Sequence, residues 1–281
     1  MTITVVQLGA LEYDTGLRLQ QRLVEMRKAG EIGNVLLLLE HTPVITLGRN
    51  ASRKNVLASD ELLQQRGVEL FDCDRGGDVT FHGPGQLVSY PIFDLRSFPS
   101  AGGKLKTLGA VDYVRRLEEV LIRTCADWHI PTERVKGMTG VWTAGDGIRS
   151  SSSGQAKIAA IGVHISRGVT SHGFALNVTD EPLDYFQLIV PCGISSKPVT
   201  SIERELATLK VEPAHSQSGK ARALTIDEVA QDVARNFGRV FDSQIVWVDT
   251  LDALLGHKVG VPARPPEELR KLSGEKETFW A

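Results

Sequence analysis

The 281-residue sequence lacks long hydrophobic runs, an excess of basic residues and a cysteine-rich pattern. Its longest apolar run, Val35 to Leu39, is far shorter than the roughly 20 residues that cross a bilayer, so we expect no membrane span. The first residues resemble neither a secretory signal nor an organelle presequence, and we expect a cytoplasmic location. The formal net charge of -2 gives no overall attraction to nucleic acid.

Cysteine is scarce. The three residues Cys73, Cys125 and Cys192 cannot all pair, and none has the CxxC spacing of a zinc site, so we expect reduced thiols and no metal. Cys125 lies on an apolar helical stripe and Cys73 ends a predicted strand, so both are interpreted as structural. Cys192 differs because Pro191 and Gly193 flank it in a predicted exposed turn, where a nucleophilic thiolate would be accessible.

Standard nucleotide motifs are also absent, since neither GxxxxGK[ST] nor GxGxxG occurs. What is present is a glycine-rich segment at 75–90, RGGDVTFHGPGQLVSY. Its four glycines allow a backbone to approach a ligand closely, and Arg75 offers a fork of donors for a carboxylate, phosphate or carbonyl. The plainer interpretation of the glycines is a pair of turns.

Hydrophobic periodicity predicts a mixture of helices and strands. Helices are predicted at 14–28, 59–66 and 109–128 and after a capping box at 225–228, and strands at 3–8, 34–40, 44–49, 68–73, 86–95, 140–144, 157–166 and 169–178. Because these elements do not alternate regularly as βαβ units, the pattern favours an α+β fold. A flexible loop is predicted near 145–155 and a polar linker near 212–222.

Several polar residues are candidates for chemistry. Lys157 begins a strand, where a lysine is commonly a solvated strand-end residue. The three histidines His82, His164 and His172 are candidate bases or hydrogen-bond donors, which leaves a cysteine-histidine hydrolase open. Sequence alone does not pair any of them with Cys192.

The order of the motifs resembles a known family. The segments that carry the resemblance are RGGDVTFHGPGQLVSYPIFDL, GVW, KIAAIGVHISRGVTSHGFALNV and VPCGI, within residues 3–242. Together they are similar to the octanoyltransferases, also called lipoyl(octanoyl) transferases. Asp78 stands where that family often has another polar residue. The resemblance implies one catalytic domain over 1–249, with 250–281 as a C-terminal extension.

The resemblance also implies an activity, namely transfer of an octanoyl or lipoyl group from acyl carrier protein to lipoyl domains. Those domains would be the ones of 2-oxoacid dehydrogenases and of the glycine cleavage H protein. No cofactor or metal is implied. The implied fold is a mixed β-sheet flanked by helices, as in the catalytic domains of biotin and lipoate protein ligases.

The same resemblance assigns residues. Cys192 matches the acyl-accepting cysteine, and Lys157 matches the lysine that lowers its pKa. The implied acyl and carbonyl site is lined by Arg75, Gly76, Gly77, Asp78, Val79, Thr80, Phe81, His82, Ala160, Ile161, Gly162, Gly173, Phe174 and Ala175. The apolar members of this set would form a tunnel for a medium-length acyl chain, since each buried methylene contributes about 0.8 kcal/mol.

Two other functions remain open. An ATP-dependent lipoate ligase would need an adenylate site, and the sequence lacks a ligase-type glycine-rich arginine motif. A noncatalytic lipoyl-domain-binding protein would have no need of a thiolate. Arg49, Arg53 and Lys54 form a basic cluster that could dock an acidic carrier protein, although clusters of this kind are common on protein surfaces.

Overall fold

The computed structural model describes residues 1–100, 107–144, 155–191, 197–210 and 223–256. The strands within these ranges are β1 (Thr2–Leu11), β2 (Asn34–His41), β3 (Val44–Leu47), β4 (Glu69–Asp72), β5 (Val79–His82), β6 (Gln86–Ile92), β7 (Thr132–Val135), β8 (Met138–Thr143), β9 (Lys157–Ser166), β10 (Val169–Asn177) and β11 (Gln244–Val248). The α-helices are α1 (Tyr13–Lys28), α2 (Asp60–Gln65), α3 (Ala110–Asp127), α4 (Ile202–Leu209), α5 (Ile226–Phe241) and α6 (Leu251–Gly256). Short 3₁₀ helices cover Arg53–Asn55, Leu95–Ser97 and Glu181–Leu188.

Two sheets organise the chain. The larger sheet has eight strands in the order β11-β1-β2-β6-β10-β9-β8-β7. Strand β1 runs parallel to both β11 and β2, and the other neighbouring pairs are antiparallel. The smaller sheet has the order β4-β3-β5 and contains the strand that follows the glycine-rich turn at 75–78. The expected mixed sheet flanked by helices is confirmed.

Strand β2 shows how the large sheet is covered. Alternate side chains of a strand point to opposite faces. Leu36 and Leu38 join the core beneath α3 and α5, whereas Val35, Leu37 and Leu39 join the core beneath α1. Because both faces of β2 are buried, the strand reads in the sequence as one continuous apolar run and not as an alternation.

The predicted helices α1, α3 and α5 agree with the structure to within one or two residues. The hydroxyl of Thr225 caps α5 by accepting from the Glu228 amide, as its capping box predicts. The strand predicted at 86–95 ends earlier, at Ile92, because the Asp94 side chain accepts from the Arg96 amide and starts a 3₁₀ turn.

The part of the chain near the predicted boundary at 249 belongs to the same core. Leu251 and Leu254 of α6 are buried with the residues of β1, β2 and α1. The remainder of the predicted extension lies outside the described residues, as do the linker at 212–222 and all but the last residue of the predicted loop at 145–155. In the part of the chain that is described, no helix combines the length and the apolar character needed to cross a bilayer.

Candidate active site

A cavity of about 210 Å³ lies between the two sheets. One wall is the turn at 75–78 with β5, and the opposite wall is formed by β6, β9 and β10. The predicted site residues that border it are Arg75, Gly76, Gly77, Asp78, Thr80, His82, Ala160, Ile161, Gly162, Gly173, Phe174 and Ala175, together with Lys157. The fold therefore gathers three segments that are far apart in the sequence.

The turn at 75–78 is fixed by hydrogen bonds to both sheets. The Arg75 guanidinium, 7% exposed, donates from Nη2 to the Thr46 carbonyl at 2.7 Å and from Nε to the Thr46 hydroxyl at 3.1 Å. The Gly76 amide donates to the Val163 carbonyl at 3.0 Å, and the Asp78 carboxylate accepts from the Ser52 amide. Several guanidinium N–H groups of Arg75 thus hold the turn at 75–78 against β3.

Glycine at two sheet positions makes this arrangement possible. A Cβ atom added to Gly162 would lie 2.7 Å from the Gly76 carbonyl oxygen, and one added to Gly173 would lie 2.0 Å from the Ser89 carbonyl oxygen. Both distances are shorter than van der Waals contact. The turn at 75–78 can approach β9 only because position 162 has no side chain.

Val79 and Phe81 belong to the predicted site, but they do not line the cavity. Side chains alternate along β5, so Thr80 and His82 face the cavity and the two apolar residues face away. Val79 and Phe81 are fully buried in the core of the smaller sheet, where the Phe81 ring stacks on Tyr185 at 4.5 Å between centroids. Phe174 borders the cavity, but its ring stacks on Phe237 of α5 at 6.0 Å.

Lys157 borders the cavity and is held by hydrogen bonds to neighbouring backbone. Its amide donates to the Pro198 carbonyl and its carbonyl accepts from the Thr200 amide, both at 2.9 Å. The side chain is 8% exposed, and Nζ lies 4.7 Å from the centre of the Trp142 ring, in cation-π contact. Lys157 is therefore not the solvated strand-end residue that its position in the sequence first suggests.

Pro191 lies close to Lys157. Both residues line a second, very small cavity of about 10 Å³, together with Gln86 and Asn177. Pro191 directly precedes Cys192 in the sequence, and Cys192 itself lies outside the described residues. The Val190 amide donates to the Asn55 carbonyl at 2.7 Å, which attaches this segment to the turn at 53–55.

A buried polar network also borders the cavity, and its members Gln86 and Asn177 line the small cavity beside Lys157. His82 Nδ1 lies 2.7 Å from Gln86 Oε1, and the Gln86 amide nitrogen donates to the side-chain oxygen of Asn177. His41 Nε2 lies 2.6 Å from the Tyr90 hydroxyl. Burial lowers the pKa of His41 to about 4 and that of His82 to about 3, so both rings are neutral at pH 7.

Sequence reasoning missed part of this network. Tyr13 and Tyr90 line the cavity, and His41 supports Tyr90 from behind. Tyr90 is the last residue of the glycine-rich segment at 75–90, so the sequence could have identified it as a candidate site residue. Tyr13 and His41 belong to α1 and β2, and nothing in their local sequence distinguishes them from core residues.

The other predicted histidines, His164 and His172, both contact Asp74, which directly precedes the turn at 75–78. His172 Nε2 contacts Asp74 Oδ1 at 2.7 Å, and His164 Nδ1 lies 3.4 Å from the other carboxylate oxygen. The hydrogen bond from His172 is the main cause that lowers the pKa of Asp74 to about 2. Because His172 borders the cavity, these contacts join the cavity wall to Asp74, the residue before Arg75.

The two described thiols are structural. Cys125 is fully buried, and burial raises its pKa to about 12, so it stays protonated and unreactive at neutral pH. The half-buried Cys73 thiol donates to the Leu47 carbonyl at 3.4 Å. The described residues contain no group of three histidine, cysteine or acidic side chains that could hold a metal ion.

Sequence comparison identifies the family. The lipoyl protein ligase A/B catalytic domain model matches residues 12–238. The chain is 57% identical to an octanoyltransferase of Koribacter versatilis over 270 residues, 96% of both chains. It is also 57% identical to an octanoyltransferase of Acidobacterium capsulatum over 255 residues, 91% of this chain and 96% of the relative.

Solved structures agree on the fold. A lipoate-protein ligase A bound with ATP matches with a TM-score of 0.63 at 15% identity, covering 98% of this chain and 94% of that one. A lipoate protein ligase from Thermoplasma acidophilum matches with a TM-score of 0.61 at 14% identity, covering 98% and 92%. The chain belongs to the lipoyl protein ligase A/B catalytic domain family, and within it to the octanoyltransferases, which are transferase enzymes.

Proposed function

We propose that this enzyme transfers an octanoyl group from acyl carrier protein to a lysine of lipoyl domains, through a thioester on Cys192. The observation that carries the proposal is the setting of Lys157. This buried lysine borders both the large cavity and Pro191, the residue before Cys192. An ammonium group beside a cysteine favours the thiolate, which is the nucleophilic form.

The first half-reaction is a thioester exchange. The Cys192 thiolate attacks the carbonyl carbon of the acyl thioester, and a new carbon-sulfur bond forms. The bond to the carrier sulfur breaks, and the Lys157 ammonium gives that sulfur its proton, which leaves Lys157 as a neutral amine. Because one thioester replaces another, no nucleotide is needed to activate the acyl group. Backbone amides near Gly162 and Gly193 are the proposed donors to the tetrahedral oxyanion.

The second half-reaction makes an amide. The lysine amine of the lipoyl domain attacks the Cys192 thioester, and the carbon-sulfur bond breaks as the Cys192 thiolate is released. The attacking nitrogen must lose a proton, and the neutral amine of Lys157 receives it directly or through a water molecule, which restores the ammonium beside the released Cys192 thiolate. Acceptors under this proposal are the lipoyl domains of 2-oxoacid dehydrogenases and the glycine cleavage H protein.

Intact-protein mass spectrometry tests the proposal. Wild type and Cys192→Ser are mixed with octanoyl-acyl carrier protein in the absence of ATP, and a lipoyl domain is then added. We expect an octanoyl adduct on wild type that is labile to hydroxylamine and that moves to the acceptor lysine. Cys125→Ser is the matched control, because its buried thiol should be irrelevant to transfer.

The same experiment separates the alternatives. Labelling of the acceptor only when ATP and free octanoic acid are supplied would mean a ligase. Loss of the acyl group to water without an acceptor would mean a hydrolase. No acyl transfer under any of these conditions, with binding of the lipoyl domain retained, would mean a binding protein.

A further inference from the structure

The chain segment at 48–58 joins the wall of the large cavity to the residues before Cys192, and we call it the bridging segment. Two backbone amides near its start, those of Arg49 and Asn50, donate to carbonyls of the turn at 75–78 at 3.0 and 3.1 Å. That turn forms one wall of the cavity. The start of the bridging segment is therefore fixed relative to the place where the acyl group is proposed to bind.

The end of the bridging segment holds the chain that leads to Cys192. Residues 55–57 pair with residues 188–190 in antiparallel orientation, and the Val190 amide donates to the Asn55 carbonyl at 2.7 Å. Val190 precedes Cys192 by two residues in the sequence. A movement of Asn55 must therefore move the backbone just before the proposed nucleophile.

The Asp78 carboxylate fastens the bridging segment to the turn. One of its oxygens accepts from the Ser52 amide at 3.1 Å, and the other accepts from the side-chain amide of Asn55. A carboxylate accepts at both oxygens, whereas the side chain of an asparagine has one oxygen that accepts and one nitrogen that donates. The two contacts therefore require the carboxylate at position 78 to be matched by an amide at position 55.

We propose that Asp78 is a positioning residue for acyl transfer, which acts through Asn55 to set the place of the chain at 190–191 relative to the cavity. The inference rests on the proposed thioester at Cys192 and adds a residue on which its formation depends. Geometry of this kind has a large effect on rate, because a displacement of about 1 Å at the reacting atoms can cost about 100-fold. Asp78 thus couples the wall that faces the acyl group to the backbone that leads to the attacking sulfur.

Exchanging the two side chains tests this coupling. Asp78→Asn leaves one oxygen to serve two donors, and Asn55→Asp places two carboxylates against each other. In the double variant the side chain at position 78 accepts from the Ser52 amide and donates to the carboxylate at position 55. Both contacts are then restored, the second with its donor and acceptor exchanged.

Single-turnover mass spectrometry with saturating octanoyl-acyl carrier protein measures the rate at which Cys192 is acylated. We expect each single variant to be about 10- to 100-fold slower than wild type, and the double variant to be within about threefold of wild type. Binding of octanoic acid, measured by calorimetry, should change less than about twofold in Asn55→Asp, because Asn55 does not border the large cavity. A rate that falls without a loss of affinity separates positioning of the thiol from damage to the cavity.

Asn50→Asp is the matched control, since it adds a negative charge to the same segment and the hydrogen bond from Asn50 to the turn is made by its backbone. We expect its acylation rate to stay within about twofold of wild type. Rates of both single variants equal to wild type would overturn the inference, as would an equal loss in the control. So would a double variant as slow as the two single effects multiplied, because independent effects add in free energy.

Alkylation of Cys192 by iodoacetamide, followed by peptide mass spectrometry, gives a second readout that needs no transfer. Its rate should differ from wild type by about threefold or more in both single variants and return toward wild type in the double variant. This pattern without an octanoyl adduct on wild type would overturn the proposed function alone. An octanoyl adduct on wild type without rescue in the double variant would overturn this inference alone.

Discussion

Two parts of the cavity wall are held in different ways. Backbone hydrogen bonds to Pro198 and Thr200 hold Lys157, whose side chain brings an ammonium group. Side-chain hydrogen bonds hold His41, His82 and Tyr90, which carry no charge at pH 7. The lysine is thus suited to moving protons, and the histidine-tyrosine network to forming a neutral, fixed wall.

The largest expected effect comes from removing the charge of Lys157. Lys157→Ala should slow both formation of the acyl-enzyme and transfer to the lipoyl domain by about 10²- to 10⁴-fold, the range of general acid-base catalysis. Single-turnover mass spectrometry measures the two steps separately. Lys28→Ala is the control, because Lys28 pairs with Glu25 on α1. Full activity of Lys157→Ala at neutral pH would show that Lys157 moves no proton, which would remove the distinction between the two parts of the wall.

Measuring stability as a function of pH examines the histidine-tyrosine network. The pKa of His82 is about 3 in the folded protein and about 6.5 in the unfolded chain, so the unfolded chain binds more protons between these values. His82 therefore stabilises the fold above pH 6.5, and this contribution is lost as the pH falls toward 3. We expect wild type to lose about 1.4 kcal/mol per pH unit more than His82→Gln between pH 6 and 4.5.

Urea unfolding at a series of pH values measures this difference. Wild type and His82→Gln are compared by the slope of the free energy of unfolding against pH, so a difference in their absolute stability does not affect the result. His129→Asn is the control, since His129 is exposed and its positive φ of 59° suits asparagine. A slope for His82→Gln equal to that of wild type would mean that His82 is not held neutral.

Crowding at the centre of the cavity should have a smaller effect. Gly162→Ala places a Cβ atom 2.7 Å from the Gly76 carbonyl, so the turn at 75–78 must move. We expect a loss of about 1–3 kcal/mol in the free energy of unfolding, with weaker acyl binding. Gly33→Ala is the matched control, because no atom lies within 4 Å of its added Cβ. Equal stability of the two variants would contradict the close approach.

The smallest expected effect is on the surface turn at 53–55, which is bonded to the segment before Cys192. Asn55 accepts from the Val190 amide, so the basic turn with Arg53 and Lys54 lies alongside the segment that leads to Cys192. Arg53 pairs with Asp60, which leaves Lys54 as the better test. Lys54→Glu should slow acylation by acyl carrier protein a few-fold at low salt, and the difference should shrink at high salt.

Acylation rates over a range of ionic strength measure this effect. Arg18→Glu serves for comparison, since Arg18 is an exposed residue of α1 that pairs with Asp14. A salt dependence identical for both variants and wild type would indicate that the basic turn does not dock the carrier.

Much of the fold was predictable because its signals are local. The stripe that buries Cys125 and the cap at Thr225 depend on neighbours within a few residues, and both agree with the structure. The separate three-stranded sheet was not predictable, because the pairing of β3 with β4 and β5 depends on contacts between distant segments.

The candidate site was predictable in part for the same reason. The turn at 75–78 and the lysine of β9 belong to contiguous motifs, and the structure brings them to one cavity. His41 was missed because it lies in a buried strand and its role depends on a hydroxyl 49 residues away. The error at Val79 and Phe81 came from assigning a whole strand to the cavity, although a strand offers only alternate side chains to one face.

The parallel pairing of β1 with β11 bears on the order of folding during synthesis. Thr2 lies opposite Gln244, so β1 gains its outer neighbour only after nearly all of the described chain has been made. Until then β1 is an open sheet edge with unpaired amides and carbonyls, the kind of edge that recruits other chains. Truncation before residue 244 should leave the ten-residue β1, and not the five-residue β11, as the outer strand of the sheet, which gives other chains a longer edge to pair with.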